Sequence, residues 1–189
     1  TTNIGAHRDA FVPGLARLAR AIRAHGAAAL VQLNHAGRYN HSFFLAGQPP
    51  VAPSAIPSRL TRETPRALSC EEIQVLVGRF AEAARRVREA GFDGVEVLSG
   101  TGYLISEFLS PLTNQRQDEY GGSLPNRMRF GLEVMTAIRK AVGGDYPLIV
   151  RMNGNDFMPQ GQSREELQAY ARALTQEAGV NALSINVGW

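Results

Sequence analysis

Four short apolar runs, each preceded by a helix-like stretch, constrain this chain more than any other feature. "AAALVQL" (27–33), "GVEVL" (94–98), "PLIVRM" (147–152) and "ALSINV" (182–187) are of strand length and apolar at consecutive positions. A strand with one wet face alternates apolar and polar residues, whereas one that is apolar at both parities has both faces covered. Before each run the apolar period changes to that of a helix. Residues 10–25 place Phe11, Leu15, Leu18, Ala19 and Ile22 on one face, with Gly26 as a stop. Ser69 and Glu72 form a capping box ahead of a stripe of Ile73, Leu76, Val77, Phe80, Ala84 and Val87, which Gly91 ends. Ser123 and Pro125 open a third helix with Leu124, Met128, Leu132, Met135 and Ile138 inward. Ser163 and Glu166 repeat the capping box before Leu167, Tyr170, Ala171 and Leu174. A helix–strand pair repeated four times predicts a parallel sheet covered by helices.

The 189 residues suffice for one domain with a real core and are too few for two ordinary ones, so residues 1–189 are expected to be a single domain or part of one. No apolar run approaches the roughly 20 residues of a membrane span. No basic stretch followed by an apolar segment marks an export signal at the N-terminus, so a cytoplasmic location is expected. Cys70 is the sole cysteine, which excludes an internal disulfide and a cysteine-rich metal site. Net charge is +3 and the pI about 9.4. All the basic residues but Lys140 are arginines, scattered among 17 acids with no interleaved aromatic stripe, so nucleic acid is not an expected partner.

Polar residues gather where the strands end. "NHAGR" follows the first strand, "SGTGY" the second, "NGND" the third and "NVGW" the fourth. Carboxyl ends of strands are where both α/β barrels and open α/β sheets build their sites. A proline-rich stretch with Pro49, Pro50, Pro53, Pro57 and Pro65 is the size of a functional loop. Several chemistries fail on residue type. "SGTGYLI" lacks the third glycine of a dinucleotide fingerprint, no P-loop is present, and no HExxH pattern supports zinc. The one lysine lies on a helix, which leaves no strand-borne Schiff base.

What remains is a site of amides, one strand-borne arginine and a tyrosine. The Gln32 amide can donate and accept toward a planar heterocycle, or tie down a loop. Arg151, among Ile149, Val150 and Met152, is costly to bury without an anion. Its partner is either a ligand or a loop acid such as Asp156. His35 and Arg38 are expected to brace their loop. Tyr103 is either a packed aromatic at a helix start or a functional phenol.

The motifs "QLNHAGR", "GFDGVEV…GYLISEFLSPLTNQRQDEYGGSLPNRMRF", "RMNGNDF" and "SINVGW" resemble the old yellow enzyme-like NADH:flavin oxidoreductases over essentially the whole chain. The bacterial 2,4-dienoyl-CoA reductase branch is the most similar. The resemblance implies a (β/α)8 TIM barrel binding FMN, with NAD(P)H as electron donor. By position, Gln32 matches the glutamine at the pyrimidine end of the flavin, and Arg151 the arginine beside its N1–O2 edge. Tyr103 matches the proton donor, and Thr113, Asn114 and Gln115 the segment lining the substrate site. Relatives of this branch also carry FAD and a 4Fe-4S cluster, whose sites are absent here. No metal ligands are expected.

Two departures bear on function. Many members carry a His-x-x-His or His-x-x-Asn pair before "GYL", where this chain has Leu98 and Thr101. Simple enone reduction through that pair is therefore not expected, and Thr101 stands where the dienoyl-CoA branch has an acid. A (β/α)8 barrel needs about 250 residues, and only about four βα units are present. The chain is expected to be an internal piece of a longer enzyme, inactive alone. The expected activity is reduction of an unsaturated acyl-CoA or related small molecule, Tyr103 protonating a neighbouring carbon. A phenol of pKa about 10 does so only if the developing enolate is stabilised nearby. The alternatives are an amine dehydrogenase or demethylase of the same family, and a non-catalytic barrel fragment.

Overall fold

The computed structural model describes residues 3–189. Its main sheet has four parallel strands, β1 (Leu30–Leu33), β4 (Gly94–Ser99), β5 (Leu148–Asn155) and β6 (Ala182–Val187), adjacent in that order. The order follows the chain without a reversal. An open doubly wound sheet reverses direction at its switch point, whereas a barrel adds each strand on the same side. The sheet is thus a sector of a barrel.

Helices α1 (Val12–Arg23), α2 (Cys70–Glu89), α4 (Leu124–Val142) and α5 (Arg164–Gln176) alternate with these strands. Both capping boxes form: Ser69 accepts from the Glu72 N–H, Ser163 from the Glu166 N–H, and each glutamate returns a bond to the cap residue. The stripe expected on α2 is buried throughout, and its Ile73, Ala84 and Val87 are fully enclosed. Outward residues of the central strands, Val95, Val97, Leu148 and Val150, are fully buried beneath the helices. Parallel register puts Gln32 beside Glu96 and Arg151 beside Leu98 and Ser184, so these polar groups share the opposite, inner face.

Four details differ from the periodicity. On α1 only Leu15 and Ala19 are buried, while Phe11 and Leu18 stay more than a third exposed. On α4 the buried line runs through Phe130, Val134, Met135, Ile138 and Val142, with Met128 and Leu132 at its margin. The face is turned because Arg127 is itself buried, its guanidinium holding Leu109 O and the Glu166 carboxylate. The expectation of strands covered on both faces fails at the two edge strands, where Leu30 of β1 is 42% exposed and Ile185 and Val187 of β6 are 58% and 65% exposed. The proline-rich stretch contains two-residue strands β2 (Val51–Ala52) and β3 (Arg66–Ala67), paired in parallel. Helix α3 (Leu104–Leu109) follows β4 with all six residues buried.

Candidate active site

The inner face of the sheet carries the first group of polar side chains. Gln32 Nε2 donates to Glu96 Oε1 at 2.6 Å. One layer higher stands Arg151, exposed on that face and without a carboxylate partner among the described residues. The loop acid that could have paired it is committed elsewhere. Asp156 is 2% exposed, accepting from Asn153 Nδ2 at 2.6 Å and from the backbone and amide nitrogens of Gln162. Arg151 therefore presents a cation without an internal carboxylate partner, flanked on the neighbouring strands by Leu98 and Ser184.

At the carboxyl end of β4 the backbone turns sharply. Thr101 has φ +55°, a left-handed conformation that costs a β-branched residue about 1–2 kcal/mol. It is held there by its N–H, which donates to Asn153 Oδ1 at 3.0 Å, and Asn186 Nδ2 donates to the same oxygen at 2.6 Å. Gly102 follows with φ +74°, and a Cβ there would lie 2.7 Å from the Tyr39 hydroxyl. This turn delivers Tyr103 to the N-cap of α3, part-buried, with its ring edge-on to Tyr39 at 6.0 Å.

The "NHAGR" loop braces this corner. His35 Nδ1 accepts from the Gly37 N–H at 3.1 Å, and its carbonyl accepts from the Leu104 N–H at 3.1 Å. Desolvation, with the nearby Arg79 charge, pushes the His35 pKa down to about 4, so the ring is neutral at physiological pH. Arg38 donates its N–H to Glu107 Oε1 at 2.9 Å, and its guanidinium lies over the rings of Tyr39 and Trp189 at 5.5 and 5.9 Å.

The segment after α3 departs from expectation. Thr113 and Asn114 are 3% and 4% exposed. Thr113 Oγ1 donates to Glu107 O at 2.7 Å, and Asn114 Nδ2 donates to Phe108 O and Tyr120 O, both at 2.7 Å. Their polar atoms close the carbonyl end of α3 in place of the expected substrate contact. Gln115 is exposed, its backbone N–H held by Ser54 Oγ at 2.9 Å. Three neighbours of the site escaped the sequence reading: Glu96, Tyr39 and Glu107. Glu96 carried a usable signal, a lone charge inside an apolar strand. Elsewhere, Cys70, Asp118 and Glu119 bring ligand atoms within 4.8 Å of one another, but Asp118 is already paired with Arg116 at 2.6 Å.

The inner face fits a flavin. With Nε2 engaged by Glu96, the Gln32 Oε1 is left as an acceptor for a ring N–H, and Arg151 offers charge without an internal partner.

Four parallel strands added in chain order, with helices on the outer face and polar side chains on the inner one, define a sector of a TIM barrel. The chain belongs to the NADH:flavin oxidoreductase / NADH oxidase family, whose model matches residues 1–188. It is 57% identical over 96% of its length to a metal reductase of Desulforamulus reducens, 27% of which it spans. Among solved structures, a 2-naphthoyl-CoA reductase complexed with 2-naphthoyl-CoA superposes with a TM-score of 0.90 at 40% identity, over 98% of this chain and 30% of that one. Morphinone reductase in complex with tetrahydroNAD gives 0.85 at 35% identity, over 96% and 55%. The chain thus spans only about a quarter to a half of these relatives. No helix among the described residues is long and apolar enough to cross a membrane.

Proposed function

We propose that this chain is the part of an FMN-binding TIM-barrel domain that carries both flavin and substrate contacts. The complete protein would be an NAD(P)H-dependent reductase of an activated C=C bond, with an unsaturated acyl-CoA or related thioester as substrate. The observation that carries the reading is the unpaired Arg151 guanidinium on the same face as the Gln32–Glu96 pair, below the rim that holds Tyr103. Gln32 and Arg151 would hold the FMN, which when bound would supply the hydride chemistry between NAD(P)H and the substrate.

The chain's own residues do the rest. Gln32 orients the pyrimidine ring through its free carbonyl oxygen. Arg151 places fixed positive charge where the ring gains electrons, which favours its reduction. Tyr103 holds a proton beside the carbon next to the one that receives hydride, and gives it up as the enolate forms. Tyr39 and the strained Thr101–Gly102 turn fix the angle of that phenol. Leu98 and Thr101 stand where a histidine pair would lie, so the substrate carbonyl would be held by other groups.

One observation favours a second reading, reduction of a metal ion: the 57% identity to a metal reductase. Electron transfer to a metal ion needs no proton donor, so Tyr103 separates the two. In the complete protein, anaerobic reduction by NADPH or NADH would be followed by reoxidation with a 2,4-dienoyl-CoA or with a ferric chelate. Faster reoxidation by the thioester, with loss of that rate in Tyr103→Phe, is expected. Reoxidation by the ferric chelate alone would sink the thioester reading.

A further inference from the structure

Helix α3 is enclosed on every side, and one of its six residues is a glutamate. Glu107 has no solvent exposure. Oε1 accepts from the Arg38 N–H at 2.9 Å, whereas Oε2 is buried with no hydrogen-bond partner. A buried acceptor left empty costs about 1–3 kcal/mol, and far more when it bears the charge of a carboxylate. The surroundings show why the carboxyl is nevertheless retained. Gly37, at φ +57°, rests directly on it, and a Cβ there would lie 2.6 Å from Cδ and 2.7 Å from Oε2. No other residue fits at that position without displacing the carboxyl.

The two segments that Glu107 joins are the ones that aim Tyr103. From the loop, His35 O takes the Leu104 N–H, and Tyr39 packs against both Gly102 and the Tyr103 ring. From the helix, the Glu107 N–H donates to Tyr103 O at 2.8 Å, while its side chain reaches back to Arg38. Glu107 thus bonds both sides of this corner, the loop through its side chain and Tyr103 through its backbone N–H.

We propose that Glu107 is a positioning residue which, in its neutral form, clamps the Gly37–Tyr39 segment against α3 and so sets the orientation of Tyr103. The consequence for catalysis rests on the proton-donor reading of Tyr103; the clamp itself does not. Burial pushes the Glu107 pKa up to about 8, and the Arg38 N–H and guanidinium only partly oppose this. Few charges face it. The loop brings Arg38, Tyr39 and a neutral His35, and α4 brings Arg127, already committed to Leu109 O and Glu166. The carboxylate of β4, Glu96, is bonded to Gln32, and β2 carries no titratable group. Ionisation would leave a charge with one bond in a closed site, so the loop would open to solvate it.

The test is amide hydrogen exchange of the segment carrying residues 35–39 in the complete flavin-loaded enzyme, with Glu107→Gln as the reference at each pH. Glutamine keeps the acceptor for Arg38 and cannot ionise. With a pKa of about 8 the neutral fraction falls from about nine tenths at pH 7 to about one tenth at pH 9, so protection in the wild type should drop about tenfold relative to E107Q. The rate of substrate reduction should show the same alkaline loss in the wild type and not in E107Q. Parallel exchange in both proteins across this range would overturn the proposal. Should E107Q fold poorly, the wild type alone decides, by comparing residues 35–39 with the core of α4 around Phe130 and Val134. Loosening confined to the loop supports the clamp; uniform loosening refutes it. Unchanged substrate reduction in Tyr103→Phe, with the loop behaving as expected, would remove the proton-donor reading and leave the clamp standing.

Discussion

Gln32 and Glu96 stand side by side on neighbouring strands, joined by a 2.6 Å hydrogen bond from the amide Nε2 to Oε1. The bond fixes which end of the amide faces a ligand. Glu96→Ala would free the amide to rotate and leave either end to meet the flavin ring. Losing one orienting hydrogen bond of about 1 kcal/mol corresponds to about a fivefold weaker FMN affinity. Fluorescence titration of the apoprotein with FMN measures it, and an unchanged Kd would remove Glu96 from the site.

Arg151 offers the site's unpaired charge. Replacing it with methionine keeps the length and removes the guanidinium, so about 10–100-fold of FMN affinity should go, the range for a hydrogen bond to a charged group. Reduction by NAD(P)H should slow as well. Normal flavin absorbance after purification, together with an unchanged stopped-flow reduction rate, would show that Arg151 serves another purpose.

These two residues also mark what the sequence discloses. A glutamine and an arginine interrupting apolar strands are conspicuous, because strand periodicity leaves no bland place for them. Glu96 gave the same signal within "GVEVL" and was read as part of an apolar run. The capping boxes at Ser69 and Ser163 were legible because both partners lie three residues apart. Of helix α3 only the start, at Tyr103, was legible, since a segment buried all round has no polar face and hence no period. Thr113 and Asn114 show the converse difficulty. A polar side chain that satisfies buried backbone carbonyls is written in the same letters as one that binds substrate, and only the distances to Phe108, Tyr120 and Glu107 tell them apart.

Asn114→Ala should accordingly act on stability. It removes two 2.7 Å bonds and leaves the carbonyls of Phe108 and Tyr120 unsatisfied, a loss of about 2–4 kcal/mol. Gln115→Ala, at an exposed side chain, should change stability by less than about 0.5 kcal/mol. Urea midpoints of the two variants against the parent compare them directly. Equal midpoints would contradict the buried role of Asn114.

His35 should set part of the acid limit. In the unfolded chain the ring takes up a proton near pH 6.5, whereas in the folded protein it resists until about 4. Between these values the unfolded state binds more protons, so the contribution of His35 is whole above pH 6.5 and is lost as pH falls toward 4. His35→Asn keeps an acceptor where Nδ1 receives the Gly37 N–H and cannot titrate. Its stability should therefore fall less steeply than that of the parent between pH 6.5 and 4 in denaturant titrations. Identical slopes would mean the ring is solvated enough to titrate normally.

Tyr103→Phe isolates the proton. The ring would keep its edge-on contact with Tyr39, and the Thr101–Gly102 turn would be unaffected, because neither depends on the hydroxyl. Flavin content and the rate of reduction by NAD(P)H should therefore match the parent. Transfer to the unsaturated thioester should slow by about 10²–10⁴-fold, the usual cost of losing a positioned acid. Transfer to a ferric chelate, which accepts electrons without a proton, should proceed at the parental rate. Rapid-mixing experiments that follow the flavin spectrum resolve the two half-reactions separately. If the thioester reoxidises the variant as fast as the parent, the hydroxyl takes no part, and Tyr103 is only the aromatic that completes the packing of Tyr39 over the start of α3.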